Sequence, residues 1–431
     1  MKKTIVLPLI IALLALTAWV FYDPAPKPNP KPFDVQKAED FDYVFDLIKQ
    51  EYPLLQAQKN ATGYDFVADY AKHKAHIMQA KNPTEFFFLL NDVLAKLDNE
   101  HTHMMTKADV QYAIGIYSQS NHDDYRWQIY THLTRDKRLQ QAYATEIGMT
   151  PAQEEQARRE KIAKIDAQIA VPANVQMFDV VPNQVGYLSV RELTHVSLLD
   201  TDERHAVMRY LQKIKHYPAL IVDIRTNTGG DTRYWTQFLL PAITARPLSL
   251  DLYSFFKKGT QMDAYKATRP TMTDIDRTQV AKALPVSADL ARILDTFAYQ
   301  EVQPLRVDID PNGIGFGGKI YLLVDTDVYS SAETLAIFAK YTQFATLVGT
   351  PTRGDGVGTD PMITILPNTH FAVRYAKQLG LAPDGTINAI VGTQPDILVA
   401  NPPNFTLPTD VNVAKNDPVI QHAVQLALSS H

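Results

Sequence analysis

One stretch constrains this chain more than any other, residues 319–358, KIYLLVDTDVYSSAETLAIFAKYTQFATLVGTPTRGDGVG. Ile320-Tyr321-Leu322-Leu323-Val324 is an apolar, β-rich run that reads as a buried strand. After a turn, Ser330-Ser331-Ala332-Glu333 opens a helical pattern carrying Leu335, Ile337, Phe338 and Ala339. A second apolar run, Phe344-Ala345-Thr346-Leu347-Val348, feeds a loop with Gly349, Gly354, Gly356 and Gly358. A serine thus stands where a strand gives way to a helix, where free backbone N–H groups and the positive end of the helix dipole favour a developing anion. That place suits a nucleophilic hydroxyl with an oxyanion hole. The same tetrapeptide, Ser330-x-x-Glu333, is also a capping box, in which both side chains satisfy N–H groups at a helix start. The choice between the two rests on the remainder of the chain.

With 431 residues, 45% of them hydrophobic, the chain can bury a large core, and two or three domains are expected. A net charge of −5 without a long basic run gives no nucleic-acid surface. The absence of cysteine excludes disulfides, thiolate metal sites, a cysteine nucleophile and a lipidated N-terminal cysteine. Residues 1–22 read as a targeting segment. Lys2 and Lys3 precede an apolar run long enough to span a bilayer, and Leu16 is bulky for a cleavage signal ending at Ala18. The expectation is a bacterial envelope protein on the periplasmic side, anchored or secreted through this segment, with the lysines inside. Residues 23–33, which hold PAPKPNPKP, read as a stiff proline-rich linker.

Residues 34–106 read as a helical domain, with Phe41, Val44, Phe45 and Ile48, and later Phe86, Phe87, Leu90, Val93 and Leu94, at helical spacing. The last helix runs into LDNEHTH. The pair His101-x-His103 lacks a third ligand at recognisable spacing, so no metal site is expected. Residues 107–171 are polar and glycine-poor, a solvated helical insertion. From 172 to 431 the pattern alternates between strand and helix. Ala219-Leu220-Ile221-Val222-Asp223-Ile224 reads as a central strand. It ends in Arg225-Thr226-Asn227-Thr228-Gly229-Gly230, where Arg225 is expected to pair with a carboxylate. The glycine pair is either a tight turn or a place where a backbone N–H approaches a ligand. Residues 247–312 mix short strands and helical stretches and read as a lid or insertion over the site; 362–366 and 371–375 read as paired strands.

In their order, LDNEHT, VDIRTNTGG, VDTDVYSSAET and GTQPDILV resemble the landmarks of the tail-specific (carboxy-terminal processing) serine peptidases and their tricorn-type relatives. The resemblance covers most of residues 35–400. It implies an α/β, crotonase-like (ClpP/crotonase) core behind the helical domain, with a peptide or unfolded protein as substrate and no cofactor. It implies Ser330 as nucleophile, His101 as base, and an oxyanion hole from the N–H of Ser331 and of Gly229 or Gly230. Three departures accompany it. The peptide-tethering PDZ module has no counterpart in residues 107–170. The Gly-Lys-Gly loop of Ser-Lys members reads Gly354-Asp355-Gly356, so a lysine base is lost and the Ser-His members are the nearer kin. The glutamate that orients the histidine in tricorn-type members is replaced by Asn388, which can hold a neutral imidazole. Two functions follow: an exported serine peptidase using Ser330 and His101, with Asn388 or Asp355 in support, or a catalytically impaired relative that binds peptides or other ligands in the same cleft.

Overall fold

The structure, a computed structural model, describes residues 31–166, 174–196 and 201–429. The expected anchor, nearly all of the linker and the end of the insertion lie outside the described residues. Among those described, no helix is long and apolar enough to cross a membrane.

Among the described residues thirteen strands form three sheets: β1 (His103–Met104), β2 (Val175–Val181), β3 (Val185–Val190), β4 (Ala219–Asp223), β5 (Leu248–Phe256), β6 (Met272–Asp274), β7 (Tyr299–Val307), β8 (Lys319–Val324), β9 (Thr346–Gly349), β10 (Met362–Ile365), β11 (Ala372–Tyr375), β12 (Leu379–Leu381) and β13 (Ile397–Leu398). The largest sheet has the order β13-β9-β8-β4-β3-β2, parallel throughout except for β2 at one edge. Its central strands are apolar on both faces because both faces are covered. Leu220, Val222, Leu322 and Val324 pack with the helices Thr201–Ile214 and Ser330–Tyr341, whereas Ala219, Ile221, Tyr321 and Leu323 face Val419, Ile420 and Ala423 of the terminal helix Pro418–Leu428. Period-two alternation thus distributes one strand between two cores. Arg225 is fully buried, with Nη2 2.6 Å from Asp223 Oδ2 and 2.9 Å from Asp417 Oδ2. Asp417 also caps the terminal helix, accepting from the N–H of Val419 at 2.9 Å. One buried guanidinium therefore ties the end of β4 to the last helix.

A further core joins helical residues such as Phe41, Ile48, Phe86 and Leu90 to residues of β5, β10 and β11. Of the segment read as a solvated insertion, Val110, Ala113, Ile129, Leu133 and Leu139 enter this core, while residues 156–160 of its charged helix are exposed. The segment 247–312, read as a lid or insertion, contains a sheet and contributes Gln303 to the cleft lining. β5 and β7 pair antiparallel over nine residues each, inside a sheet of order β12-β5-β7-β6. The remaining sheet, β1-β11-β10, carries the chain just past His101: His103 pairs with Arg374, and Thr102 Oγ1 accepts from the N–H of Ala376 at 3.1 Å. The strands expected at 362–366 and 371–375 are β10 and β11.

Candidate active site

Ser330 is the first residue of its helix and has φ of 54°, in the left-handed region that side chains disfavour. The helix has no side-chain cap. The capping box therefore does not form, and the physical reason lies in where each side chain finds its partner. Ser330 Oγ lies 3.2 Å from His101 Nε2. Glu333 is fully buried and accepts from Asn388 Nδ2 at 2.5 Å and Thr393 Oγ1 at 2.6 Å. Burial pushes the Glu333 carboxyl up from its ordinary range, against the pull of these hydrogen bonds.

His101 Nδ1 lies 2.7 Å from Asp355 Oδ2. The same oxygen accepts from Asn99 Nδ2 at 2.7 Å and from Tyr329 Oη at 2.9 Å. Burial alone would raise the Asp355 carboxyl; the charge of His101 and the donors His101, Asn99 and Tyr329 outweigh it and hold the group below the usual aspartate range. An anionic Asp355 fixes the proton on Nδ1 and leaves the Nε2 lone pair for the serine hydroxyl. The backbone N–H of His101 in turn donates to Tyr329 Oη at 3.3 Å, so the tyrosine before the serine touches both partners.

Asn388, expected at the imidazole, is elsewhere. Its Nδ2 donates to Glu333, and its Oδ1 accepts from the N–H of Gly356 at 2.8 Å. It braces the loop that carries Asp355 and does not meet His101; the acid on the histidine comes from the Gly354-Asp355-Gly356 loop. Asp355 itself has φ of 57°. In sequence the loop shows a missing lysine and offers Asp355 only as an alternative to Asn388; the side of the histidine on which residue 355 falls depends on this turn. Asn99 and Tyr329 carried no signal beyond their adjacency to His101 and Ser330.

The glycine pair divides its duties. Gly229 and Gly230 have φ of 111° and 130°. A Cβ on Gly229 would lie 2.9 Å from that of Ser330, so glycine lets this loop close on the serine. The N–H of Gly229 is taken by Asn227 Oδ1 at 2.9 Å. Among the described residues the N–H groups of Gly230 and Ser331 have no hydrogen-bond partner, and both residues line the cleft. The Ser331 hydroxyl is held away from it, accepting from Trp235 Nε1 at 3.3 Å. Two unspent N–H donors beside a serine hydroxyl can receive an oxyanion.

These groups open into a cleft of about 770 Å³ that Tyr112, Arg126, Arg233 and Arg374 also line. His103 points its Nδ1 at the carbonyl of Met104, at 3.0 Å. Among the described residues no three His, Asp or Glu side chains gather as a metal cluster.

Residues 184–399 match the model of Peptidase family S41. No curated protein matches the chain. Among solved structures, a putative peptidase from Parabacteroides merdae aligns over 91% of this chain and 97% of its own, at 15% identity and a TM-score of 0.54. Mature CPAF aligns over 91% and 96%, at 14% identity and a TM-score of 0.52. CPAF complexed with lactacystin aligns over 91% and 98%, at 14% identity and 0.53. At these identities the likeness is one of fold.

Proposed function

The chain belongs to peptidase family S41, and on that premise we propose that it is a serine peptidase whose catalytic triad is Ser330, His101 and Asp355, set in a crotonase-like core. The observation that carries this reading is the continuous relay from Ser330 Oγ to His101 Nε2 at 3.2 Å and from His101 Nδ1 to Asp355 Oδ2 at 2.7 Å. Ser330 Oγ attacks the scissile carbonyl carbon while its proton passes to Nε2. The imidazolium so formed is stabilised by Asp355, and the carbonyl oxygen becomes an oxyanion held by the N–H groups of Gly230 and Ser331. Collapse of the tetrahedral intermediate breaks the C–N bond as His101 gives its proton to the leaving amine. Water, deprotonated by the same imidazole, then cleaves the acyl ester and restores the serine. The substrate is a peptide or an unfolded protein, and residues 1–22 deliver the enzyme to the cell envelope.

A fluorophosphonate probe tests the chemistry. Wild type should be labelled at Ser330 and should hydrolyse unstructured peptides, and Ser330→Ala should do neither. Peptide binding without labelling or hydrolysis would replace this reading by that of a binding protein. Protease added outside spheroplasts should digest the folded part; full protection would overturn the envelope location.

A further inference from the structure

The first turn of the serine's helix grips the loop that carries Asp355 at three places. The N–H of Ser330 donates to the carbonyl of Gly354 at 3.3 Å, and Thr334 Oγ1 donates to the carbonyl of Gly356 at 2.5 Å. Glu333 reaches the same loop through Asn388, which donates its Nδ2 to the carboxyl and accepts at Oδ1 from the N–H of Gly356. A Cβ on Gly356 would lie 2.6 Å from Glu333 Cγ and 2.5 Å from the Thr334 nitrogen, so loop and helix are in direct contact. Residues 330, 333 and 334 share one face of the helix. That face sets both ends of the turn in which Asp355 stands.

The surroundings of Glu333 suit a neutral acid and not a carboxylate. The residue is fully buried, and among the described residues it makes no ion pair. Both of its donors, Asn388 and Thr393, meet Oε1. Oε2 is buried with no hydrogen-bond partner. Thr352 stands close enough to favour the charged form, yet its hydroxyl oxygen is already engaged, accepting from the N–H of Thr393 at 2.7 Å. The charge that bears on Glu333 is that of Asp355, which opposes a second anion. A carboxylate here leaves a buried charge unpaired and one oxygen bare. A proton on Oε2 removes the charge and supplies a donor that Thr352 Oγ1 can receive. We propose that Glu333 is a positioning residue for the peptidase reaction. As a neutral acid it holds Asn388, and through it the Gly354-Asp355-Gly356 turn, without setting a second negative charge beside Asp355. This rests on the peptidase reading of the cleft.

Two substitutions in the full chain test it. Glu333→Gln has the shape of the neutral acid and should keep kcat for peptide hydrolysis within about threefold. Glu333→Ala leaves Asn388 Nδ2 without its acceptor and should lower kcat on the order of tenfold or more, with KM little changed. Infrared spectra near neutral pH should show a protonated-carboxyl band in wild type that Glu333→Gln lacks. Denaturant melts carry the same signature. A carboxyl held above its ordinary value of 4.5 in the folded chain loses stability as pH rises from there through the folded value. Wild type should therefore lose stability relative to Glu333→Gln over that range. A Gln variant as slow as the Ala variant, or no such band in wild type, overturns the neutral acid. An Ala variant as fast as wild type overturns the positioning role. If the Ala variant fails to fold, Glu333→Asp, which draws the carboxyl back from Asn388 by one methylene, is read in its place, and an unchanged kcat overturns the role. Fluorophosphonate labelling of Ser330 is read separately. Labelling without the band sinks this proposal alone, and the band without labelling or hydrolysis sinks the peptidase reading.

Discussion

The two sides of the cleft are built differently. Gly230, Ser330 and Asp355 all follow strands of one parallel sheet, after β4, β8 and β9, where successive strand ends bring sequence-distant loops together. His101 comes from the other core, on a loop between the helix Pro83–Ala95 and β1. The sheet side holds Ser330 and the N–H groups of Gly230 and Ser331 by its own strand order. The helical side must be registered onto it by cross-contacts: Asn99 to Asp355, His101 N–H to Tyr329, and Arg353 Nη2 to Asp98 at 2.8 Å. The comparison teaches that the position of Ser330, the proposed nucleophile, is a property of one sheet, whereas that of His101, the proposed base, is a property of an interface.

The largest effect expected breaks the relay itself. Ser330→Ala and His101→Ala should each lower peptide hydrolysis by about 10⁴-fold or more, with the double variant little worse, because members of one catalytic unit are non-additive. Full additivity in steady-state kcat/KM would mean that the two sides do not act together. Asp355→Asn comes next, with a loss approaching ~10⁴-fold through the wrong imidazole tautomer. Asn388→Ala, acting only through the loop it braces, should cost about tenfold, as one lost hydrogen bond would. Equal losses at the two positions would restore Asn388 to the histidine.

Tyr329→Phe probes the interface and should cost roughly three- to tenfold, less than the full worth of one hydrogen bond to a charged group because Asn99 and His101 still hold the carboxylate. It removes a donor that lowers the Asp355 pKa, so the acid limb of the kcat/KM profile should move to higher pH. An unmoved limb would show that the tyrosine does not act through the carboxylate. The smallest effect on activity is expected at Lys377, buried on the helical side and donating to the carbonyl of Asp360. Burial holds its pKa down, to about 7. Below that value both folded and unfolded chains carry the charge. Between pH 7 and the ordinary lysine value of about 10.4 the unfolded chain binds the extra proton, so this residue makes stability rise with pH across that window. Lys377→Met should abolish that rise in denaturant melts while leaving Ser330 labelling intact. An unchanged slope would refute the assignment.

The sheet side was legible in the sequence because strands buried on both faces are unbroken apolar runs, as at 219–224 and 320–324, and because Gly229-Gly230 marks a turn. Ser330 and His101 were legible only as ordered motifs, since nothing local to residue 101 speaks of residue 330, which lies 229 positions away. Within 247–312 the strand from Leu248 was legible, but the sheet it joins was hidden. β7 carries Pro304 and several polar residues, β6 is three residues long, and β5 finds its partner far along the chain, as Leu248 with Val307 shows. Asp355 was legible as one of two candidates to support the histidine, beside Asn388; the choice between them was not, because a left-handed turn at residue 355 itself sets where its carboxylate goes.

The left-handed backbone at Ser330 has a consequence for how such a protein changes over generations. A side chain in that region costs on the order of 1 kcal/mol, and glycine would adopt the same turn freely. Ser330→Gly should therefore melt at a higher temperature than the active chain, even allowing for the greater freedom of unfolded glycine. Selection for folding alone would erase the hydroxyl; on the proposed reading, a serine here is held against a thermodynamic slope by its role as nucleophile.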